Sequence, residues 1–202
     1  MYKCLADIGC DHAYVSIEAV KRKLVKKAIA CDISPGPLEA AKKNIGESGM
    51  NIELRLGDGL EPIGENEADV VVVAGMGGMR ILGILSEGFH KIHNSLLIMQ
   101  PQHDLEKLRR GLFGLGFGVA FEKLVKEDGR FYEIIVAKKT ASPTPPTEAE
   151  FFLGSHSCEL AREFYLQKMD KINKYILRIT EPDALKKAER ELWELKNRIN
   201  KP

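Results

Sequence analysis

The sequence predicts an α/β fold: a parallel sheet covered by helices on both faces, closed by an antiparallel hairpin and followed by a helical hairpin. Three observations carry this. Short apolar runs alternate with helix-period segments through the first 140 residues, two strand-like runs then follow one another across an Asp-Gly turn signal, and the chain ends in two heptad-spaced seams. Continuous apolar strands belong to sheets buried on both faces, which strand–helix alternation produces.

The apolar runs are Cys4–Ile8, Ala28–Ile33, Ile52–Leu56, Val70–Ala74 and Leu96–Met99. Between them lie His12–Leu24, Pro37–Glu47, Met79–Ile92 and Asp104–Leu112, with apolar residues at helical intervals such as Val15, Ala19, Val20 and Leu24. The uniformly β-branched Val70–Val73 reads as a central strand. Gly118–Val125 and Arg130–Ala137 are separated only by Lys126-Glu127-Asp128-Gly129, whose Asp-Gly favours a hairpin. Five parallel strands closed by a hairpin is the layout of the Rossmann-like class I methyltransferases. A dinucleotide dehydrogenase would run on with another βα unit. Residues 140–150, TASPTPPTEAE, read as a break. Beyond it Tyr165, Met169, Ile172, Ile176 and Ile179 form one seam, and Leu185, Ala188, Leu192, Leu195 and Ile199 a second. Pro182 lies between them and suits the first turn of a helix, so the pair reads as an antiparallel coiled-coil hairpin. The expected organisation is a sheet domain over 1–140, a linker over 141–150 and a coiled-coil domain over 151–202.

The chain of 202 residues suffices for one α/β domain with a small appendage. No apolar run approaches a membrane span, and the opening MYKCLADIG reads as a buried strand and not a signal peptide. Cys4, Cys10, Cys31 and Cys158 lack CxxC spacing and read as reduced buried thiols, so neither a metal nor a disulfide framework is expected and the expected compartment is the cytoplasm. A net charge of +1 excludes a global basic field, so any nucleic-acid binding must come from local patches. Lys21–Lys27 carries five cations in seven residues, and Lys107, Arg109 and Arg110 form a second group. Residues 147–202 hold 11 Lys/Arg against 10 Asp/Glu and are not a basic arm.

The candidate binding site begins at Asp7-Ile8-Gly9-Cys10-Asp11-His12-Ala13, where the first strand passes into the first helix. Gly9 permits close backbone approach, and Asp7 can hold a ligand's ammonium group. GxGxxG is absent, since Asp11 and His12 occupy the later glycine positions. That disfavours a pyrophosphate cradle and suits a cationic, phosphate-free ligand such as S-adenosylmethionine. The competing reading is a plain turn with Asp11 as helix N-cap. Asp32, followed by Ile33, stands 25 residues after Asp7. An acid at this place chelates ribose hydroxyls in nucleotide-binding βαβ units, while an N-cap role is the alternative. Asp58, before Gly59, can accept from an adenine amino group or be an ordinary turn aspartate. Three acids at successive strand ends converge on one crevice. Ala74-Gly75-Met76-Gly77-Gly78 closes the fourth strand, and its glycines leave room for a planar base. Close helix–sheet packing explains one of the three glycines well and all three poorly.

The elements ADIGCDHAY, Asp32 within ACDISPGPLEAA, RLGDGL and VVAGMGG, with LLIMQPQ and DGRFYEIIVA, together resemble the bacterial TrmK-type tRNA (adenine-N1)-methyltransferases acting on adenine 22. The resemblance covers nearly the whole chain and implies a Rossmann-like catalytic domain, a coiled-coil domain, S-adenosylmethionine as donor and tRNA as acceptor. Family members usually carry a helical segment before the first strand, whereas this chain begins inside that strand. Cys10 stands where a serine is expected and puts an oxidisable thiol beside the cofactor.

Methyl transfer to adenine N1 needs positioning and not a general base. Asp11 is the candidate for stabilising the cationic product, with His12 as a contact to cofactor or base. The N1 edge is a Watson–Crick edge, so the base must be extracted. Gly75, Met76 and Gln100 are the candidates to line its pocket, Gln100 by an amide–adenine contact or as a strand-end cap. Phe131 and Tyr132 are candidates for base stacking or core packing. The expected partner is tRNA, the expected state a monomer. A methyltransferase for another RNA, a protein or a small molecule, or a non-catalytic RNA-binding module, stays open.

Overall fold

Valine, leucine, isoleucine and alanine make up most of the parallel strands because both faces must be covered. In the computed structural model, which describes residues 1–156 and 159–199, the strands are β1 (Tyr2–Ile8), β2 (Val25–Asp32), β3 (Ile52–Leu56), β4 (Val70–Met76) and β5 (Leu96–Pro101), followed by β6 (Phe117–Glu127) and β7 (Arg130–Lys139). They form one sheet in the order β3-β2-β1-β4-β5-β7-β6. β1 to β5 pair in parallel, and β7 runs antiparallel to β5. The chain winds outward from β1 to β3, then restarts at β4 on the other side of β1. The carboxyl ends of β1 and β4 are therefore the switch point at which open α/β sheets bind ligands. At the β6–β7 turn Asp128 and Gly129 have φ of 47° and 75°, the two positive values a type I′ hairpin requires.

Side chains alternate across the sheet with period two. Cys4, Ala6 and Ile8 face a core that includes Ile81 and Leu85 of α3 (Gly78–Glu87), Ile92 of α4 (Phe89–Ile92) and Leu108 and Leu112 of α5 (Leu105–Gly114). On the other face Leu5, Val70 and Val72 meet Ala19 of α1 (Tyr14–Lys21), and Ala30 meets Ala41 of α2 (Pro35–Ser48). The single helix expected over Met79–Ile92 is two, because the chain bends at Gly88. A Cβ there would stand 2.5 Å from Leu60, so only glycine lets the helix end approach that side chain.

The chain divides into two compact units, Met1–Phe121 with Ile134–Pro145, and Glu122–Glu133 with Pro146–Pro202. The second unit contains α6 (Glu148–Leu153), α7 (Leu160–Ile176) and α8 (Pro182–Ile199). Its core is Leu124, Leu153, Ala161, Phe164, Tyr165 and Leu195, with Phe131, Met169, Ile172 and Ile199 packed against it. Phe131 is thus partly buried against this core, as the packing alternative expects. Helix α6 corrects the linker reading, since it starts at Glu148. Thr147 and Glu150 form a reciprocal capping box, Glu150 N donating to Thr147 Oγ1 at 3.2 Å and Thr147 N to Glu150 Oε2 at 2.8 Å. Buried Glu133 accepts from Lys168 Nζ at 3.1 Å and lies 3.0 Å from His156 Nε2. Cys4, Cys10 and Cys31 are free and buried; Cys158 lies outside the described residues. Among the described residues no helix is long and apolar enough to cross a membrane, and no cluster of His, Cys, Asp or Glu could hold a metal ion.

Candidate functional site

A cleft of about 530 Å³ opens over the carboxyl ends of the parallel strands. Asp11 reaches it from β1, Asp32 and Ile33 from β2, Asp58 and Gly59 from β3, Ala74, Gly75 and Met76 from β4, and Gln100 from β5. The three aspartates follow three adjacent strands, so the topology gathers them along the β1–β2–β3 side, and the glycine-containing segment lies on the β4–β5 side.

The β1–α1 turn is shaped for its position. Gly9 N and Cys10 N both donate to Cys31 O at 2.9 Å. Gly9 is fixed by its φ of 71°; a Cβ there would also meet Met76 Cε at 2.2 Å, the movable end of a flexible side chain. Asp11 and Ala13 also have positive φ, 49° and 57°. Non-glycine residues there cost on the order of 1 kcal/mol each, and such strain concentrates at binding loops. The N-cap of α1 is Ala13, so Asp11 does not cap that helix. Its backbone N–H donates instead to Asp32 Oδ2 at 3.3 Å, and Ser34 N donates to Asp32 Oδ1 at 2.9 Å. Two main-chain donors therefore set the Asp32 carboxylate at the cleft edge. Asp58 Oδ1 accepts from Arg80 Nη2 at 2.6 Å, which leaves Oδ2 to a ligand. Both groups are about half exposed, so the pair orients more than it stabilises.

On the other side Gly75 forms a β-bulge between the Ala74–Gln100 and Met76–Pro101 pairs. Its φ is 75°, and a Cβ there would meet nothing within 4 Å. Its N–H donates to Gln100 Oε1 at 3.1 Å, and Gln100 Nε2 donates to Pro101 O at 3.2 Å. The Gln100 amide thus serves the backbone cap that was one of its two readings. Packing explains more of the glycine run than the sequence suggests. A Cβ on Gly77 would stand 2.4 Å from His103 Cε1, and one on Gly78 would stand 2.7 Å from Asp104 O. Gly78 admits the backbone of the β5–α5 loop, Gly77 borders the exposed His103 ring, and Gly75 keeps open space toward the cleft.

A family model for tRNA (adenine(22)-N(1))-methyltransferase matches residues 5–202. The chain belongs to this family. Over 137 residues it is 41% identical to the tRNA (adenine(22)-N(1))-methyltransferase of Bacillus subtilis, a stretch that makes up 66% of this chain and 58% of that relative. Sp1610 of Streptococcus pneumoniae in complex with S-adenosyl-L-methionine matches 99% of this chain and 94% of its own, at 28% identity and a TM-score of 0.88. TrmK of M. capricolum in complex with S-adenosyl-homocysteine matches 98% and 92%, at 26% identity and a TM-score of 0.86. The family read from the motifs holds, and with it the Rossmann-like methyltransferase sheet and its antiparallel closure.

In this member of the TrmK family several expected site residues stand back from the cleft lining: Asp7, Cys10, His12 and Gly77. Cys10 is buried against Ala13, Ala30 and Ala41, and burial, with Asp7 and Asp32 adding negative charge, pushes its thiol up to about 12. It is not the oxidisable thiol the sequence suggested. His12 stacks on Tyr14 with ring centroids 5.6 Å apart, and its Nε2 is 3.6 Å from Asp11 Oδ2. The second basic group dissolves, since Arg109 is buried, Lys107 pairs with Asp104 and Arg110 with Glu106. Arg80 and Ile84 line the cleft without having been singled out in the sequence, although their i, i+4 spacing in α3 puts them on one helix face.

Asp7 is 4% exposed and accepts from Ser16 Oγ at 2.8 Å, tying β1 to α1. Burial raises its carboxyl from 3.8 to about 6, against the opposing pull of the Ser16 hydrogen bond. Between about pH 3.8 and 6 the folded state therefore holds a proton that the unfolded chain has released. The contribution is favourable below pH 3.8 and is lost as pH rises through about 6, on the order of 3 kcal/mol at neutral pH. Asp7→Asn keeps an acceptor for Ser16 and removes this loss. Its melting temperature should exceed the wild-type value at pH 8 and approach it at pH 4; lower stability at pH 8 contradicts this reading.

Proposed function

We propose that the protein transfers a methyl group from S-adenosylmethionine to N1 of adenine 22 in tRNA. The observation that carries the reading is the gathering of Asp11, Asp32 and Asp58 along one cleft at the switch point of a TrmK-family sheet. A carboxylate-lined cleft whose one guanidinium, Arg80, is already paired with Asp58 suits a cationic nucleoside without phosphates. When bound, S-adenosylmethionine supplies an electrophilic methyl group on a sulfonium.

Asp32 would hold the ribose hydroxyls and Asp58 Oδ2 the adenine amino group, with Ile33 as an apolar contact. Ala74, Gly75 and Gly59 would offer backbone at the closest approach. The acceptor adenine would enter on the β4–β5 side, over Gly75 and Met76. Its N1 lone pair needs no base, so the residues contribute alignment, worth several kcal/mol, and exclusion of water. Asp11 supplies negative charge for the positive base that forms. The target must leave its stack to present N1. The reading includes a cytoplasmic monomer acting on tRNA.

The test is methyl transfer to a tRNA transcript with adenine at position 22 and to one with guanine there. Incorporation into the first alone, at N1, supports the assignment. Incorporation into both transcripts alike, into free adenosine or into protein overturns it.

A further inference from the structure

The loop after β5 carries a side chain that the functional reading leaves unused. His103 is 69% exposed, yet its ring is fixed on two sides. Its Nδ1 is 2.8 Å from Asp104 Oδ2, and its edge rests on Gly77, where any Cβ would come within 2.4 Å of Cε1. The backbone is stitched beneath it, with Gly78 N donating to His103 O at 2.9 Å and Gln102 N to Met76 O at 2.8 Å.

Asp104 shows that this arrangement is built and not incidental. It is the N-cap of α5, where an aspartate ordinarily accepts from the first-turn N–H groups. Here its side chain makes no capping bond, and its φ is 57°, a strained value for a non-glycine residue. The carboxylate is turned to Lys107 Nζ at 2.9 Å and to the His103 ring. Lys107 first, and His103 second, hold it below the usual carboxylate range, so it is a charged acceptor for Nδ1–H.

Position gives the ring its use. With the cofactor on the acids of the β1–β2–β3 side, the acceptor side is β4–β5; His103 and Gly77 lie outside the cleft lining but next to Met76, the lining residue that closes β4. A planar ring held there is a surface for an unstacked base. We infer that His103, oriented by Asp104 and seated on Gly77, is the ledge on which the extruded target adenine stacks. The inference rests on the methyltransferase reading above. His103 then touches substrate, and Asp104 is a positioning residue that acts through it.

The experiment is a coupled series on the full chain, with tRNA methylation kinetics and S-adenosylmethionine affinity both measured. The ledge engages the base only after the tRNA has docked, so His103→Ala should lower kcat roughly tenfold and change the tRNA KM and cofactor affinity by less than about twofold. His103→Phe keeps a stacking plane and should recover most of kcat; His103→Gln should not. Gly77→Ala displaces the ring and should cost a similar factor alone but little more when added to His103→Ala, because both act through one contact. Wild-type rates in His103→Ala, a phenylalanine variant as slow as alanine, or additive losses in the double variant overturn the ledge while leaving the methyltransferase reading intact. A wild-type protein that binds cofactor but does not methylate adenine 22 overturns that reading, and the ledge with it.

Discussion

Replacing Asp32 with alanine should weaken S-adenosylmethionine binding by roughly a hundredfold, with little change in melting temperature. A carboxylate accepting from two ribose hydroxyls makes charge-assisted bonds of about 1.5–3 kcal/mol each, less what water returns, and each 1.4 kcal/mol is tenfold in affinity. Ser34 N and Asp11 N fix that carboxylate, so little ordering remains to be done on binding. Both donors face the cleft edge, and water can replace the lost acceptor at a cost near or below 1 kcal/mol. Calorimetric titration and thermal unfolding measure the two quantities. Unchanged affinity would remove Asp32 from the ribose role.

Removing the second unit should have an opposite signature. A chain lacking residues 146–202, with the hairpin tip 122–133 replaced by a short turn, should bind S-adenosylmethionine within about threefold of wild type but methylate tRNA at least about a hundredfold more slowly. Every lining residue of the cleft falls between Ile8 and Gln100, inside the first unit, whose cores are built from its own strands and helices. The hairpin tip must go as well, because Leu124 and Phe131 belong to the core of the second unit and would otherwise be stripped of their partners. The expected loss rests on the helical pair gripping tRNA at phosphate positions, which supply most of the affinity in nucleic-acid complexes. Full turnover in the truncated chain would show those helices to be dispensable.

The sequence made the sheet legible because parallel strands buried on both faces write continuous apolar runs, and their hairpin closure is written as Asp128-Gly129. Two of the cleft acids, Asp32 and Asp58, were legible because each stands at the end of such a run, whereas the strand-end acid expected beside them, Asp7, is buried and Asp11 takes its place in the cleft. The helical pair was legible from its seams, and α6 could have been found from Thr147-Glu148-Ala149-Glu150, a capping box obscured by the prolines before it. Tertiary information was not legible. Asp7 and Asp11 are four residues apart and both acidic, yet one is buried under Ser16 and the other lines the cleft. Arg109 looks like part of a basic patch and is buried. Gly75 and Gly77 look equivalent, but one bulges into open space and the other carries the His103 ring. Nothing local distinguishes a glycine needed for its own φ from one needed by a neighbour distant in the chain.

A crystal structure with S-adenosylhomocysteine bound is the most direct test of the central claim. The ribose should lie on Asp32, the adenine amino group on Asp58 with Arg80 still paired to it, and the sulfur should turn toward Gly75. A nucleoside bound elsewhere on the protein, or one in this cleft with the carboxylates of Asp32 and Asp58 turned to solvent, would contradict it.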